Sequence, residues 1–284
     1  MKIFVTGATG KVGSRFVPYL LKQGHTVRIL VRSAERALAL KEQGAEVVQG
    51  DLLNNKNISQ AIQGVDAVVH TAAQFRGGIS EETAQAVNLD ATIALAKAAL
   101  ESGVTRFVFT STGNVYRDMN VNRPCRESDI LIPAKEIYPK TKIAAEEALL
   151  KLYREQGLDI RIMRLAFVYG DRDPHIEEIL PYMINWNPLK QFSMVHHEDV
   201  SQALLLAAIT PGVGGRIYNV ADDNPVTIGE LYKLHGGPEQ VPAKDGWLMP
   251  NLWELTVDTK RIKKELNFRP KYPSIYTAKD VEAL

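Results

Sequence analysis

Residues 3–13 read IFVTGATGKVG, an apolar run followed by a loop with glycine at every third position. The run from Ile3 to Thr6 predicts a buried strand, and the loop after it opens a helix. Gly7 permits a tight turn, Gly10 leaves room for a phosphate, and Gly13 allows the helix to pack closely on the strand. Because a helix N-terminus favours an anion, this stretch predicts a dinucleotide-binding loop. Its predicted cofactor-binding residues are Gly7, Thr9, Gly10, Lys11, Val12 and Gly13.

Short apolar runs alternate with longer amphipathic segments from residue 2 to about 165, a pattern typical of βαβ units around a parallel sheet. Right-handed crossovers then give an α/β fold, a Rossmann-like doubly wound parallel sheet that binds ligands at the carboxyl ends of its strands. Helices are predicted over 82–102 and 140–156. The predicted strands are Ile3 to Thr6, Thr26 to Val31, Ala45 to Gln49, Ala67 to His70, Arg106 to Thr110 and Asp159 to Leu165.

The alternation breaks down after Arg164, where prolines punctuate short elements. We therefore expect a dinucleotide-binding domain over 1–170. Residues 171–284 are expected to form mainly a small C-terminal substrate-binding lobe, partly interleaved with that domain.

Charge and cysteine content limit the class of partner. The chain has 34 Lys and Arg against 33 Asp and Glu, so its net charge of +1 offers no field of one sign to nucleic acid or to a membrane surface. Cys125 is the only cysteine, which excludes an internal disulfide and fits a reducing compartment. No run approaches the eighteen or so apolar residues of a membrane span. We expect a cytoplasmic protein with a small-molecule substrate, and neither a nucleic-acid nor a membrane partner.

The end of the second predicted strand bears on the choice of cofactor. A free ribose hydroxyl calls for Asp or Glu about twenty residues after the glycine loop, but the strand ends with Arg32. A guanidinium can bind a 2′-phosphate in a bidentate fork, and a carboxylate would repel it. Arg32 therefore favours NADP. In the alternative, Arg32 is a solvated strand-end residue, Glu35 reaches the ribose, and the cofactor is NAD.

Tyr138 and Lys142 place a phenol and an ammonium group four residues apart at the start of the 140–156 helix, about 5 to 6 Å from each other. At an effective dielectric of about 20, such a charge lowers a tyrosine pKa from about 10 by about two units. Tyr138 is then suited to exchange a proton with an alcohol or a carbonyl while hydride passes to or from a nicotinamide. The pair follows the fifth predicted strand and is therefore expected near the nicotinamide half of the cleft.

At this point the sequence resembles the short-chain dehydrogenase/reductase superfamily of the extended type, also described as the NAD-dependent epimerase/dehydratase family. The motifs follow one another in the family's order along nearly the whole chain. They are the glycine loop, Gly50-Asp51-Leu52, His70-Thr71-Ala72-Ala73, Asn88, residues 110–116 (TSTGNVY), Tyr138 with Lys142, residues 164–170, residues 195–200 (VHHEDV) and Tyr218-Asn219-Val220.

This resemblance implies a set of functional residues. Thr112, four residues before Tyr116, would be the catalytic hydroxyl, with Ser111 as the nearby alternative. Asp51 and Leu52 would contact adenine, and Lys142 would also bind the nicotinamide ribose. The further cofactor-binding residues implied are Thr71, Ala72, Ala73, Asn88, Thr110, Ser111, Tyr138, Leu165, Phe167 and Val168.

Three functions remain open from the sequence. The first is a reductase or dehydrogenase of a carbonyl or secondary alcohol, which Arg32 and the scarcity of arginine between Arg172 and Val195 favour. The second is a sugar-nucleotide 4-epimerase, acting on a UDP-sugar with tightly bound NAD, which the resemblance supports. The third is a redox-sensing regulator that binds NADP without turnover. A sugar 4,6-dehydratase is disfavoured because Gly113-Asn114 stands where enzymes of that kind carry Asp-Glu.

Two further features concern metal and assembly. His196 and His197 are adjacent, so their side chains diverge, and no other His or Cys is spaced to complete a metal site. No metal is therefore predicted. The alanine- and leucine-rich helices over 82–102 and 140–156 predict a homodimer.

Overall fold

A parallel β-sheet forms the centre of the fold in the computed structural model, which describes residues 1–54, 58–75, 80–117, 119–183, 186–237 and 251–284. The strands are β1 (Lys2–Thr6), β2 (Thr26–Val31), β3 (Glu46–Gln49), β4 (Ala67–His70), β5 (Arg106–Thr112), β6 (Asp159–Leu165), β7 (Phe167–Tyr169), β8 (Gln191–Phe192), β9 (Met194–His196), β10 (Arg216–Val220) and β11 (Val226–Thr227). The α-helices are α1 (Gly13–Lys22), α2 (Leu38–Glu42), α3 (Ile58–Ile62), α4 (Glu81–Gln85), α5 (Ala91–Glu101), α6 (Ile137–Gln156), α7 (His175–Met183), α8 (His197–Ile209), α9 (Ile228–Leu234), α10 (Lys260–Glu265) and α11 (Ile275–Asp280).

The main sheet has the strand order β10-β6-β5-β4-β1-β2-β3 within the described residues, and each neighbouring pair is parallel. The order reverses between β1 and β4, and the two strands pair there from Ile3 opposite Ala67 to Thr6 opposite His70. Ligands of doubly wound sheets bind at such a switch point. The predicted fold class is confirmed.

Successive apolar side chains of the buried strands point to opposite faces of the sheet, and a hydrophobic core forms on each face. On β1, Ile3 and Val5 pack in the cluster that holds residues of α1 and α8. Phe4, between them, packs in the cluster that holds residues of α3, α5 and α6. Each large apolar side chain buried in this way contributes about 1.5–3 kcal/mol relative to an exposed one. The two cores fix the helices that carry the glycine loop and Tyr138 against one sheet.

The seventh strand of this sheet comes from the region predicted to be mainly lobe. Strand β10 pairs with β6 from Arg216 opposite Arg161 to Val220 opposite Leu165. Helix α8, which precedes β10, is buried in the same core as α1. Residues after 170 thus complete the dinucleotide-binding sheet before the chain continues, and the boundary at residue 170 stays a prediction.

Two predicted helices have different bounds in the structure. The predicted 82–102 helix is divided into α4, a π-helical turn over Ala86–Asp90, and α5. Such turns insert one extra residue per turn and re-aim side chains. The predicted 140–156 helix begins earlier, at Ile137, because Pro139 is tolerated in a first turn whose N–H groups need no intrahelical partner. It ends at Gly157, which has φ of +74°.

The region after β7 builds a smaller apolar cluster beside the sheet. Ile176 and Met183 of α7 pack there with Phe192, Ile228 and Tyr272. Short strand pairs, β7 with β9 and β8 with β11, hold these segments together. None of the helices in the described ranges combines the length and the apolar character needed to span a membrane.

Candidate active site

The glycine loop joins β1 to α1 with a very tight backbone. Gly7 has φ of +73°, and a Cβ built on it would lie 2.5 Å from the backbone N of Ala72. A Cβ on Gly13 would lie 2.2 Å from the carbonyl oxygen of Gly7. Gly10 differs, because it is exposed and a Cβ there would meet only the Gly7 carbonyl oxygen, at 3.2 Å. Gly7 and Gly13 therefore allow the strand and the helix to meet closely, and Gly10 leaves the exposed surface of the loop free of a side chain. This arrangement fits a pyrophosphate at a helix N-terminus.

The residues around this loop hold it from two sides. Thr71, after β4, directs both its backbone N–H and its hydroxyl to the carbonyl oxygen of Thr6, at 3.2 and 2.7 Å. Lys11 Nζ donates to Asp173 Oδ1 at 2.5 Å, and Asp173 Oδ2 lies 2.9 Å from His197 Nε2. Burial alone would raise the pKa of Asp173, but the bonds from His197 and Lys11 hold it well below its usual range. A charged carboxylate therefore ties the loop to the segment after β7.

The predicted adenine end lies at the carboxyl ends of β2 and β3. Arg32 is exposed directly after β2, and its carbonyl oxygen accepts a bond from Gln49 Nε2 at 3.3 Å. Asp51 uses Oδ1 to accept from the backbone N–H of Leu53 at 3.0 Å, which fixes the turn after β3. Leu52 is partly buried against the core. The chain thus brings Arg32, Asp51 and Leu52 to one edge of the sheet.

The structure brings Thr112, Tyr138 and Lys142 together at the carboxyl end of β5. Thr112 ends the strand, and its Oγ1 accepts from the backbone N–H of Asn114 at 3.2 Å. Lys142 is almost fully buried, and its Nζ donates to the carbonyl oxygen of Thr110 at 2.8 Å. Nζ lies 5.9 Å from the centroid of the Tyr138 ring. This separation agrees with the one predicted from their helical spacing.

The predicted effect of Lys142 on the Tyr138 pKa is wrong. Burial raises the pKa of the Tyr138 phenol above its ordinary value of 10.0, and a hydrogen bond with Thr112 opposes this only in part. Burial also lowers the pKa of Lys142 to about 7, against the opposing charge of Glu146. The expectation of a pKa lowered by about two units assumed a permanently charged ammonium and ignored the cost of removing both groups from water.

The side-chain amide of Asn88 forms hydrogen bonds with other groups of the protein. Oδ1 accepts from the backbone N–H of Gln74 at 2.7 Å, and Nδ2 donates to the Gln74 carbonyl oxygen at 2.9 Å. Nδ2 also donates to Thr141 Oγ1 on α6, at 3.2 Å. Asn88 is fully buried within the π-helical turn. The cofactor contact that the resemblance implies for it stays a prediction.

A buried ionic group behind Lys142 was missed by sequence reasoning. Arg164 pairs with both carboxylate oxygens of Glu146, from Nε at 3.0 Å and from Nη2 at 2.5 Å, and Nη1 donates to Tyr116 Oη at 2.7 Å. Ser111 donates its hydroxyl hydrogen to Glu146 Oε1 at 2.5 Å. Ser111 is engaged in this way, whereas Thr112 shares a hydrogen bond with Tyr138. Glu146 lies four residues after Lys142 and eight after Tyr138, and this helical spacing is the sequence signal that indicates it.

A chain of aromatic rings begins next to Tyr138. The Phe75 centroid lies 5.1 Å from that of Tyr138 and 6.1 Å from that of His175. Phe167 stacks on His175 at 4.1 Å, and Val168 offers its carbonyl oxygen to His175 Nδ1 at 3.0 Å. Phe75 and His175 come from distant segments, and no spacing in the sequence indicated that they meet. Leu165, also predicted to bind cofactor, is buried at the end of β6.

The two adjacent histidines face different partners. His196 Nε2 lies 2.8 Å from the Ala283 carbonyl oxygen, whereas His197 contacts Asp173. Within the described ranges, no group of three or more His, Cys, Asp or Glu side chains could hold a metal ion.

Comparison with known proteins gives a consistent result. The family model described as NAD dependent epimerase/dehydratase family matches residues 3–221. A similar protein is the 4-hydroxy-2-methyl-3-oxo-4-farnesyl-3,4-dihydroquinoline-1-oxide ketoreductase of Stigmatella aurantiaca, 29% identical over 260 residues that cover 87% of this chain and 75% of that protein. Another is the 3-beta-hydroxysteroid dehydrogenase of Mycolicibacterium neoaurum, 31% identical over 253 residues that cover 81% of this chain and 68% of that protein.

Solved structures share the fold at lower identity. The UDP-glucose 4-epimerase of Thermotoga maritima superposes with a TM-score of 0.80 at 22% identity, covering 99% of this chain and 100% of that one. A short-chain dehydrogenase/reductase superfamily protein from Agrobacterium tumefaciens, with bound NAD, gives a TM-score of 0.77 at 24% identity and covers 99% and 95% of the two chains. The resemblance read from the sequence is confirmed, and the chain belongs to the NAD-dependent epimerase/dehydratase family.

Proposed function

We propose that the chain is an NADP-dependent oxidoreductase that catalyses reversible hydride transfer between nicotinamide and a carbonyl or secondary-alcohol substrate. The meeting of Thr112, Tyr138 and Lys142 at the carboxyl end of β5, the strand beside β4, is the observation that carries this proposal. The glycine loop at the neighbouring switch point would hold the pyrophosphate.

Tyr138 supplies the proton. When bound, the nicotinamide ring gives or takes the hydride. Because burial raises the pKa of Tyr138, its hydroxyl keeps its hydrogen at neutral pH and can donate it to a carbonyl oxygen. In the reverse direction, the phenolate form of Tyr138 takes the proton of the alcohol on Oη. The Thr112 hydroxyl stabilises the negative charge that then develops on Oη or on the substrate oxygen.

Lys142 supplies positive charge close to Tyr138. Its pKa of about 7 makes that charge sensitive to its neighbours, of which Glu146 favours the protonated form. The carbonyl oxygen of Thr110 orients Nζ at 2.8 Å. As the resemblance implies, the same ammonium would also bind the nicotinamide ribose.

Arg32 supports NADP over NAD. Its side chain is exposed at the carboxyl end of β2, and a guanidinium matches the geometry of a 2′-phosphate. Asp51 and Leu52 would contact the adenine at the same edge. Glu35 begins the helical turn Glu35–Ala37 just after Arg32, and it would serve the ribose hydroxyl in the alternative with NAD.

The substrate is proposed to be a carbonyl compound or alcohol because two of the similar proteins are a ketoreductase and a hydroxysteroid dehydrogenase. A sugar-nucleotide 4-epimerase is less well supported, since a nucleotide diphosphate needs free cations in the lobe. Lys190 is paired with Glu254 at 2.9 Å and lies over the ring of Trp186. A regulator without turnover would have no use for the Thr112, Tyr138 and Lys142 arrangement.

Absorbance of the reduced nicotinamide, followed with NADPH and a panel of aldehydes and ketones, tests the proposal. Tyr138→Phe should lower kcat about 10²- to 10⁴-fold, the usual range for removing a general acid. Tyr153→Phe is a matched control on the same helix, where Tyr153 is exposed. Lys142→Met should also lose activity, whereas Lys140→Met, which breaks an exposed pair with Glu81, should not. Turnover that survives Tyr138→Phe would overturn the assignment, as would wild-type protein inert toward every carbonyl.

A further inference from the structure

The ring of Phe75 lies beside that of Tyr138, and the ring of His175 lies beside that of Phe75. We infer that Phe75, with the buried ring of His175 next to it, forms an aromatic wall of the substrate site, and that the preferred substrate carries a flat aromatic group next to its carbonyl. This specificity rests on the proposed function and goes beyond it by naming the substrate class.

Phe75 presents its ring instead of burying it. The side chain is 43% exposed, although its ring centroid is only 5.1 Å from that of Tyr138, with the planes tilted by 53°. This is the geometry that aromatic pairs prefer. An exposed phenyl ring beside a catalytic phenol offers a further flat group a surface to pack on, and covering it gains free energy in proportion to the apolar area removed from water.

The backbone just before Phe75 is held by hydrogen bonds. Asn88 holds both the N–H and the carbonyl oxygen of Gln74, the residue before Phe75. Asn88 is itself fully buried. The backbone that leads into Phe75 is therefore held by a buried side chain, as expected where a side chain selects substrate.

His175 provides the second ring of the wall. A carbonyl oxygen can only accept, so the contact with Val168 assigns the hydrogen to Nδ1. The imidazole stacks on Phe167 with an angle of 22° between the planes, and Phe167 packs edge-on against Phe192. The ring is thus backed by aromatic groups and presents an edge at 81° to Phe75. A flat apolar group matches such a surface better than a hydroxylated sugar does.

Two nearby lysines are already engaged by protein groups. In the first two turns of α6, Lys140 is paired with Glu81 and Lys142 is buried against the carbonyl oxygen of Thr110. In the described part of the chain, α7 and β7 carry no Lys or Arg. These two lysines and the residues of α7 and β7 therefore offer no free cation to a phosphorylated substrate, whereas the rings favour an apolar group.

Two methyl ketones that differ only in the second substituent, phenyl methyl ketone and acetone, test the inference with NADPH. An added apolar group in a matching site gains about 10- to 200-fold in kcat/KM, so the wild-type protein should favour the phenyl ketone by at least tenfold. Phe75→Ala should lower kcat/KM for the phenyl ketone about tenfold, chiefly through KM, and leave the value for acetone within about twofold. Leu38→Ala, which alters an exposed apolar side chain on α2, should change neither value.

Binding measured without turnover separates this inference from the proposed function. Saturation-transfer NMR with phenyl methyl ketone in the presence of NADP should show contact to the phenyl protons, and Phe75→Ala should weaken it. Binding without turnover would contradict the proposed reaction but would still support the proposed substrate wall. Turnover with equal preference for the two ketones, or an equal loss for both in Phe75→Ala, would overturn the wall and leave the reaction. Failure of both binding and turnover would overturn both.

Discussion

Asn88 clamps Gln74 with both ends of its side-chain amide, accepting from the backbone N–H at 2.7 Å and donating to the carbonyl oxygen at 2.9 Å. The same amide donates to Thr141 on α6. Phe75 follows Gln74, and Lys142 follows Thr141. One buried amide therefore contacts both the residue before Phe75 and the helix that carries Lys142, which couples the proposed substrate wall to the proposed catalytic groups.

Asn88→Asp should reduce both stability and turnover. It keeps an acceptor for the Gln74 N–H but removes the donor to the Gln74 carbonyl oxygen, and an unsatisfied buried group costs about 1–3 kcal/mol. We expect a lower free energy of unfolding and a fall in kcat/KM of about tenfold or more. Denaturant unfolding and steady-state kinetics measure the two effects. Asn224→Asp, which alters an exposed contact to Pro273, should leave both nearly unchanged; equal behaviour of the two variants would contradict the clamp.

Two alanine substitutions should separate cofactor binding from folding in the glycine loop. Gly13→Ala places a Cβ 2.2 Å from the Gly7 carbonyl oxygen, so we expect a marked loss of stability. Gly10→Ala meets only one backbone oxygen, at 3.2 Å, and projects from an exposed position. It should fold with a much smaller change in Tm but bind NADP about tenfold more weakly or worse. Thermal melts measure Tm, and fluorescence titration measures NADP affinity. Unimpaired NADP binding by a folded Gly10→Ala would show that the phosphate does not bind at this loop.

Lys142 should make the free energy of unfolding rise with pH between about 7 and 10.5. Burial lowers its pKa from 10.5 to about 7, so between those values the unfolded chain binds more protons and stability rises with pH. Below about pH 7 both states are protonated, and the cost of the buried charge is fully present. Each pKa unit is worth about 1.4 kcal/mol, so the total is several kcal/mol.

Lys142→Met should therefore be more stable than the wild-type protein at pH 7 and should lose the rise in stability between pH 7 and 10.5. Denaturant unfolding across this range measures both effects. Lys140→Met is the matched control, because Lys140 is exposed in its pair with Glu81. A less stable Lys142→Met at pH 7 would show that the hydrogen bond to Thr110 outweighs the burial cost.

The sequence identified what depends on local pattern. The run from Ile3 to Gly13 specifies a strand, a turn and a helix through neighbouring residues, and the structure has all three. Tyr138 and Lys142 lie on one helix, so their separation follows from helical geometry alone. Strand β10 could not be assigned in the same way, because its short run stands among prolines and pairs with β6, more than fifty residues earlier.

What depends on tertiary contact could not be predicted. Phe75 and His175 lie a hundred residues apart, and only the fold brings their rings together. The burial of Tyr138 and Lys142 also depends on tertiary contact. The proximity of Lys142 suggested a lowered Tyr138 pKa, but desolvation of both side chains reverses the direction, and desolvation follows from the packing of α6 on the sheet.

Arg32 should decide between the two nicotinamide cofactors. Its exposed guanidinium ends β2, and bonds between charged groups contribute about 1.5–3 kcal/mol each. Arg32→Ala should therefore weaken NADP binding about 10- to 100-fold and change NAD binding little, because NAD lacks the 2′-phosphate. Arg32→Asp should go further and favour NAD, since a carboxylate repels the phosphate and can accept from the ribose hydroxyl. Fluorescence titration with each reduced cofactor measures both affinities, with Arg154→Ala on the exposed face of α6 as the control. If NADP and NAD were weakened equally, or neither was affected, Arg32 would be a solvated strand-end residue and the cofactor would be NAD.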